Sequence, residues 1–210
     1  MKNKIAIIGA GSGISQAVAH RFGQEGYEVV LIARNAARLQ ERVAELQAAG
    51  IVATSAVADS SQPDQLKQAL TGLDGLRVVH YNAAALRSAD VLAETAESLL
   101  QDFAVNVVGL LTAVQAALPQ LEAQRGSVLI TGGGLAKHPH PAYASLALGK
   151  AAQANLANSL AQAVQPKGVY VGVLQINAQV SESDAVHNPT AIAQRFWAMH
   201  TGRTQGEVEL

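Results

Sequence analysis

Ile5-Ala6-Ile7-Ile8-Gly9-Ala10-Gly11-Ser12-Gly13-Ile14-Ser15 lies at the start of the chain, and the rest is read from it. Its first four residues are too few and too β-branched for a helix and read as a strand buried on both faces. Gly9, Gly11 and Gly13 then break the strand, and Gln16 to Phe22 resumes with helical spacing. A strand, a glycine turn and a helix N-terminus together make an anion site. Glycine lets the backbone approach the anion, and the unpaired amides of the helix start supply donors and partial positive charge. The common dinucleotide spacing G-x-G-x-x-G fails at its third place, which falls on Ile14. A G-x-x-x-G spacing from Gly9 to Gly13 fits better, with Ser15 where a further glycine would come. A tight turn without a ligand is the alternative reading.

Of the 210 residues, 49 % are apolar and 15 % charged, which suits one α/β domain over residues 1–210 and excludes a disordered chain. A formal charge of -1 gives no reason to expect nucleic acid or an anionic membrane as partner. The absence of cysteine excludes disulfides and thiolate metal sites, and the six histidines are too scattered for a metal centre. The apolar run behind Lys2 and Lys4 stops at Ile8, too short for a signal peptide, and no stretch reads as a membrane span. A soluble cytoplasmic protein is expected.

Further strands are read at Tyr27–Ala33, Ile51–Ala58, Leu76–Tyr81, Ser127–Thr131 and Val169–Leu174, with a possible last one at Glu207–Leu210. Helices are read at Ala36–Ala49, Gln62–Leu70, Ala89–Ala123, Pro141–Gln165 and Pro189–His200, with Gly23 and Gly26 closing the first helix and Pro119 bending or ending part of the long one. Apolar strands alternating with helices predict a Rossmann-like, doubly wound parallel sheet of six to seven strands with helices on both faces. Ligands bind such sheets at the carboxyl ends of the strands.

The second strand ends Ala33-Arg34-Asn35, with no acid nearby. A carboxylate there would hold the free 2′-hydroxyl of a dinucleotide, whereas an arginine accommodates a 2′-phosphate. Arg34, seconded by Arg38, therefore favours NADP(H) over NAD(H), unless Arg34 is simply a solvated residue past a strand end.

These features together resemble the short-chain dehydrogenase/reductases, from Lys4 to about Val180. The carrying residues are Gly9-Ala10-Gly11-Ser12-Gly13-Ile14 for the family's T-G-x-x-x-G-I-G, Asp59 after the third strand, Asn82-Ala83-Ala84 for its N-A-G, and Asn106 in Asn106-Val107-Val108-Gly109 for its N-V-x-G. The resemblance implies that Asp59 meets the adenine and that Asn82 and Ala83 line a ribose. Each has a plainer reading: Asp59 as a helix cap, Asn82 as a turn residue.

The family's reaction uses a tyrosine as general acid/base, a lysine four residues later and a serine 13 residues before the tyrosine. Lys150-Ala151-Ala152 aligns with its K-A-A, which puts Leu146 at the tyrosine and Gly133 at the serine. Aligning on Tyr143 instead puts Ala147 at the lysine and Ile130 at the serine. The first alignment keeps Lys150 and Asn106 and describes a shortened, divergent member without the usual Ser and Tyr. Ile8 replaces the threonine before the first glycine, and Asn177-Ala178 replaces a P-G, with Ser181 in reach of a threonine's part.

Tyr143, two helical turns before Lys150 and about 10 Å along the axis, is the nearest phenol. His138 and His140 are the other proton carriers expected near the nicotinamide. Catalysis is assigned to Lys150, Asn106 and Tyr143, and cofactor binding to Gly9, Gly11, Ser12, Gly13, Ile14, Arg34, Asp59, Asn82, Ala83 and Lys150. Two functions follow from this reading: an NADP(H)-dependent oxidoreductase acting on a small carbonyl/alcohol pair with atypical proton transfer, or a catalytically inactive NADP(H)-binding protein serving as sensor or assembly partner. Ala-rich helices around Ala93–Ala117 and Ala147–Ala163 predict a homodimer or homotetramer, as in the family. The substrate is not legible.

Overall fold

The structure, a computed structural model, describes residues 2–204 and 206–210. Seven strands form one parallel sheet in the order β3-β2-β1-β4-β5-β6-β7: β1 Lys4–Ile8, β2 Glu28–Ala33, β3 Ala53–Val57, β4 Leu76–Tyr81, β5 Ser127–Thr131, β6 Tyr170–Gln175 and β7 Glu207–Glu209. The helices are α1 Ile14–Gln24, α2 Ala36–Ala48, α3 Pro63–Leu70, α4 Ala96–Phe103, α5 Gly109–Ala123, α6 Ala144–Val164 and α7 Pro189–Gly202.

Alternation along β1 shows how both faces are covered. Ile5 and Ile7 enter a core with Phe22 of α1, Leu39 of α2 and Phe196 of α7. Ala6 and Ile8 enter the opposite core with Leu66 of α3, Leu110 and Val114 of α5 and Ala157 of α6. The strand order reverses between β1 and β4, and the crevice beyond their carboxyl ends is where a doubly wound sheet receives a ligand.

Several expectations are corrected. The helix read from Ala89 begins at Ala96, because Thr95 caps it in a reciprocal box with Ser98; Val91–Ala93 is only a 3₁₀ turn. Pro119 sits inside α5 without ending it. Pro119 and Gln115 are both on the exposed face, so the carbonyl deprived of its donor meets solvent. Gly23 lies within α1, where a Cβ would stand 2.4 Å from the Ile51 side chain, and only Gly26, at φ +85°, makes the turn. The continuous helix Ala96–Ala123 is, by length and composition alone, apolar enough to cross a membrane, contrary to the sequence reading. Half of its most apolar window is buried inside the chain, where α5 packs on β4 and α3.

Candidate active site

At the end of β1 the chain turns on Gly9, whose φ is +82°. A Cβ there would lie 2.4 Å from the Ala83 amide nitrogen, so only glycine lets the turn press against the end of β4. Ser15 fills the place of the absent glycine by another route. Its hydroxyl accepts from the Gly11 amide at 2.7 Å and donates to the Gly11 carbonyl at 3.1 Å, with the residue only 1 % exposed. The hydroxyl braces the turn from within. Among the described residues, the amides of Ser12, Gly13, Ile14 and Ser15 have no acceptor. Four consecutive free donors at a helix start fit a pyrophosphate.

Gly9, Ala10, Arg34, Asp59, Asn82 and Ala83 line a cleft of about 340 Å³ beside this turn. Arg34 is exposed and unpaired among the described residues. Asp59 accepts from the Ser61 amide and hydroxyl at 2.9 and 2.8 Å, so it does cap the turn before α3 while facing the cleft. Asn82 is likewise both brace and lining: its Nδ2 donates to the Gly9 carbonyl at 3.3 Å, and its Oδ1 accepts from Thr131 at 2.8 Å. Because Thr131 spends its proton there, His80 must donate Nε2–H to Thr131 Oγ1 at 3.1 Å, which leaves a bare, unpartnered Nδ1. Burial holds the pKa of His80 down to about 3, so the ring is neutral.

Asn106 lies in a π-helical turn, Ala104–Val108, between α4 and α5. It is fully buried, and its Oδ1 accepts from the Ala85 amide at 2.9 Å. Gly149 makes room for it: a Cβ on Gly149 would stand 2.6 Å from Asn106 Nδ2. One residue further along α6, Lys150 Nζ donates to the Thr131 carbonyl at 2.6 Å and to Gln153 Oε1 at 3.2 Å. Gln153 Nε2 in turn donates to the Asn106 carbonyl at 2.9 Å. The lysine is thus joined to the asparagine backbone by a side chain. With no carboxylate beside it, burial pushes the pKa of Lys150 down to about 8.

Lys150 opens onto a second, largely apolar cleft of about 660 Å³, lined also by Gly133, His138, Tyr143, Leu146 and the stretch 176–180 after β6. Leu86 lines both clefts, so they adjoin at that side chain. Tyr143 is the N-cap residue of α6, is 37 % exposed, and its hydroxyl has no partner among the described residues. Lys137, paired with Glu207 at 3.0 Å and Glu209 at 2.5 Å, anchors the loop that carries His138. His140 is not in the cleft; its Nδ1 accepts from the Ala142 amide at 3.2 Å. Ser181 pairs with Ser183 and does not line the cleft either.

The sequence-assigned residues therefore fall into groups. Gly9, Arg34, Asp59, Asn82 and Ala83 share one cleft, and Tyr143 and Lys150 share the other. Ser12 and Gly13 face a separate groove between α1 and α7, while Gly11, Ile14 and Asn106 line none of the three. Gln153 and Gly149 were missed by the sequence reading. A glutamine three places after the lysine, amid alanines, was the available signal. Also missed was the tie holding α6 to α4: Ser145 donates to Asp102 at 2.7 Å, and Arg87 binds both Asp102 and Glu94, at 2.9 and 2.7 Å.

Residues 3–189 match the profile of the family described as short chain dehydrogenase. Tropinone reductase-like 3 of Erythroxylum coca is 33 % identical over 172 residues, 79 % of this chain and 66 % of that protein. The chain spans 57 % of the length of two matching oxidoreductases of Staphylococcus epidermidis. A dehydrogenase/reductase structure from Sinorhizobium meliloti is 26 % identical with a TM-score of 0.87, covering 100 % of this chain and 94 % of that one. A short-chain dehydrogenase of Sphingobium yanoikuyae in complex with NADPH is 22 % identical with a TM-score of 0.86, covering 99 % of this chain and 87 % of that one.

Proposed function

Because the chain belongs to the short-chain dehydrogenase family, whose members use nicotinamide cofactors, we propose that it is an NADP(H)-dependent oxidoreductase acting on a small carbonyl/alcohol pair. The observation that carries this reading is the pair of adjoining clefts, with unpaired Arg34 in one, buried Lys150 in the other, and free amides at the turn beside the first. The NADPH bound by the Sphingobium relative supports the choice of cofactor. Residues 1–210 serve as one dinucleotide-binding unit in the cytoplasm. The exposed Leu100 of α4 and Leu148 of the adjoining α6, 70 % and 59 % accessible, support assembly of the chain into a homodimer or homotetramer through these helices.

In this reading Gly9, Gly11, Ser12, Gly13 and Ile14 hold the pyrophosphate, Arg34 the 2′-phosphate, Asp59 the adenine, and Asn82 and Ala83 a ribose. The nicotinamide, when bound, supplies or takes up a hydride. Lys150 grips the nicotinamide ribose, and Gln153 fixes the lysine against the Asn106 carbonyl. Leu146 and Gly133 stand in the cleft where the family's tyrosine and serine align, so the proton passes through Tyr143, which opens onto the same cleft.

The same two replacements favour a second reading, an NADP(H)-binding protein without turnover. Purified protein, NADPH and a panel of aldehydes and ketones separate the two. Turnover that falls about 10²–10⁴-fold in Tyr143→Phe supports the enzyme and its phenol. Tight NADPH binding with no substrate turned over supports the binder. Full turnover in Tyr143→Phe removes the tyrosine and leaves His138 as the proton carrier.

A further inference from the structure

The opposite end of the sheet, at the amino ends of the strands, carries a second concave site. Arg77 of β4, Arg125 just before β5 and Arg203 just after α7 line a hollow of about 440 Å³ together with Tyr27, Trp197 and His200. None of the three guanidiniums has an ion-pair partner among the described residues. Glu25, the carboxylate whose charge reaches Tyr27, is already paired with Arg21 at 2.5 Å. Gathering three like charges is unfavourable, and burial together with the charges of Arg77 and Arg125 depresses the pKa of Arg203. The Nε of Arg77 is buried without an acceptor.

The backbone adds an independent observation. Arg125 and Arg203, at φ +48° and +50°, are the only described non-glycine residues in the left-handed region. Each closes a helix at the position where glycine is usual, although Gly126 and Gly202 stand one residue away. At the end of α5 the Arg125 amide bonds the Glu122 carbonyl and the Gly126 amide the Leu121 carbonyl, so the register places arginine and not glycine in the strained site. The Arg203 guanidinium is held by the carbonyls of Arg125 and His200, which presets its position. His200, bonded to Tyr27 and Ser127 at 2.8 Å each, makes a rigid floor. Strain retained on two charged residues around one hollow is the pattern of a binding site.

We propose that this hollow binds a small, multiply charged phosphate-bearing anion. Guanidinium forks match phosphate oxygens in pairs, and three of them balance a charge that one could not. The site lies away from the carboxyl-end clefts and does not depend on the function proposed above.

Trp197 is the only tryptophan in the chain and lines the hollow, so its emission reports occupancy. The parent protein is titrated with sodium pyrophosphate and, separately, with inorganic phosphate, with sodium chloride holding ionic strength constant. A saturable change is expected with pyrophosphate. Its affinity is expected to fall about tenfold or more in Arg77→Gln and in Arg125→Gly, through loss of a charged hydrogen bond. Arg125→Gly relieves the left-handed backbone, so its melting temperature does not fall and its loss of binding cannot be ascribed to unfolding. Arg77 and Arg125 line this hollow and not the glycine turn, so a loss of affinity in their variants separates the two sites. Equal affinity for inorganic phosphate identifies a free phosphate as ligand, and preference for pyrophosphate a diphosphate group. A change reproduced by chloride alone, or affinities within twofold of the parent in both arginine variants, overturns the proposal.

Discussion

Lys150 should make the stability of this protein rise in mildly alkaline solution, against the usual trend. Its side chain is buried, its partners are a carbonyl and an amide oxygen, and its pKa falls from 10.5 to about 8. A lysine with a depressed folded pKa disfavours the native state while it is protonated in both states. Between pH 8 and 10.5 the unfolded chain holds the proton that the folded chain has released, so stability increases with pH across that window. Integrating from pH 7 to 10 gives about 2.5 kcal/mol from this one group. The other lysines and the tyrosines also titrate in this range, so the measurement is a difference. Urea unfolding of the parent and of Lys150→Met at pH 7 and pH 10 gives four free energies. The gain of the parent on going to pH 10 should exceed that of the variant by about 2.5 kcal/mol. A double difference below about 0.5 kcal/mol would mean that Lys150 titrates as an ordinary surface lysine.

Two further outcomes follow from packing and charge. Gly149→Ala places a methyl 2.6 Å from the Asn106 amide in a buried contact; overpacking of this kind costs about 1–3 kcal/mol and lowers the melting temperature by roughly 2–4 °C per kcal/mol. An unchanged calorimetric midpoint would show that α6 does not need glycine there. His80 and His200 are buried with pKa values held down to about 3 and 4, both by burial and His200 also by Arg203 and Arg77. Unfolding frees both rings to take protons below pH 6.5, so stability falls as pH drops, by about 3 kcal/mol between pH 6.5 and 5. Equal denaturant midpoints at these two values would refute the assignment of two neutral buried rings.

Much of the architecture was legible in the sequence because local pattern and tertiary role coincide there. Ile5–Ile8 is apolar because a parallel strand is buried on both faces, and β4 and β5 came out at the residues read for them. Helix ends were less legible, since Thr95 and Ser98 cap α4 through a reciprocal contact that competes with the apolar run before it. Gly9, Arg34, Asp59 and Asn82, picked out in the sequence one by one, do meet in one cleft, at strand ends that topology alone brings together. The surroundings of Lys150 were not legible. Gln153, Gly149 and the Ser145–Asp102–Arg87 tie act through contacts between helices far apart in sequence, and neither periodicity nor spacing records them. Ser15 was read by its place in a pattern, whereas its effect comes from where its hydroxyl turns.

The cofactor assignment rests on one exposed guanidinium and a turn of free amides, and both are open to a single measurement. Dissociation constants for NADPH and NADH, read from the enhancement of nicotinamide fluorescence, are to be compared between the parent and Arg34→Glu. Arg34 supplies the phosphate contact, so the parent should bind NADPH about tenfold or more tightly than NADH, and the variant should lose that preference while keeping its affinity for NADH. Absence of saturable binding of either nucleotide to the parent, or an equal loss of both in the variant, would contradict the account.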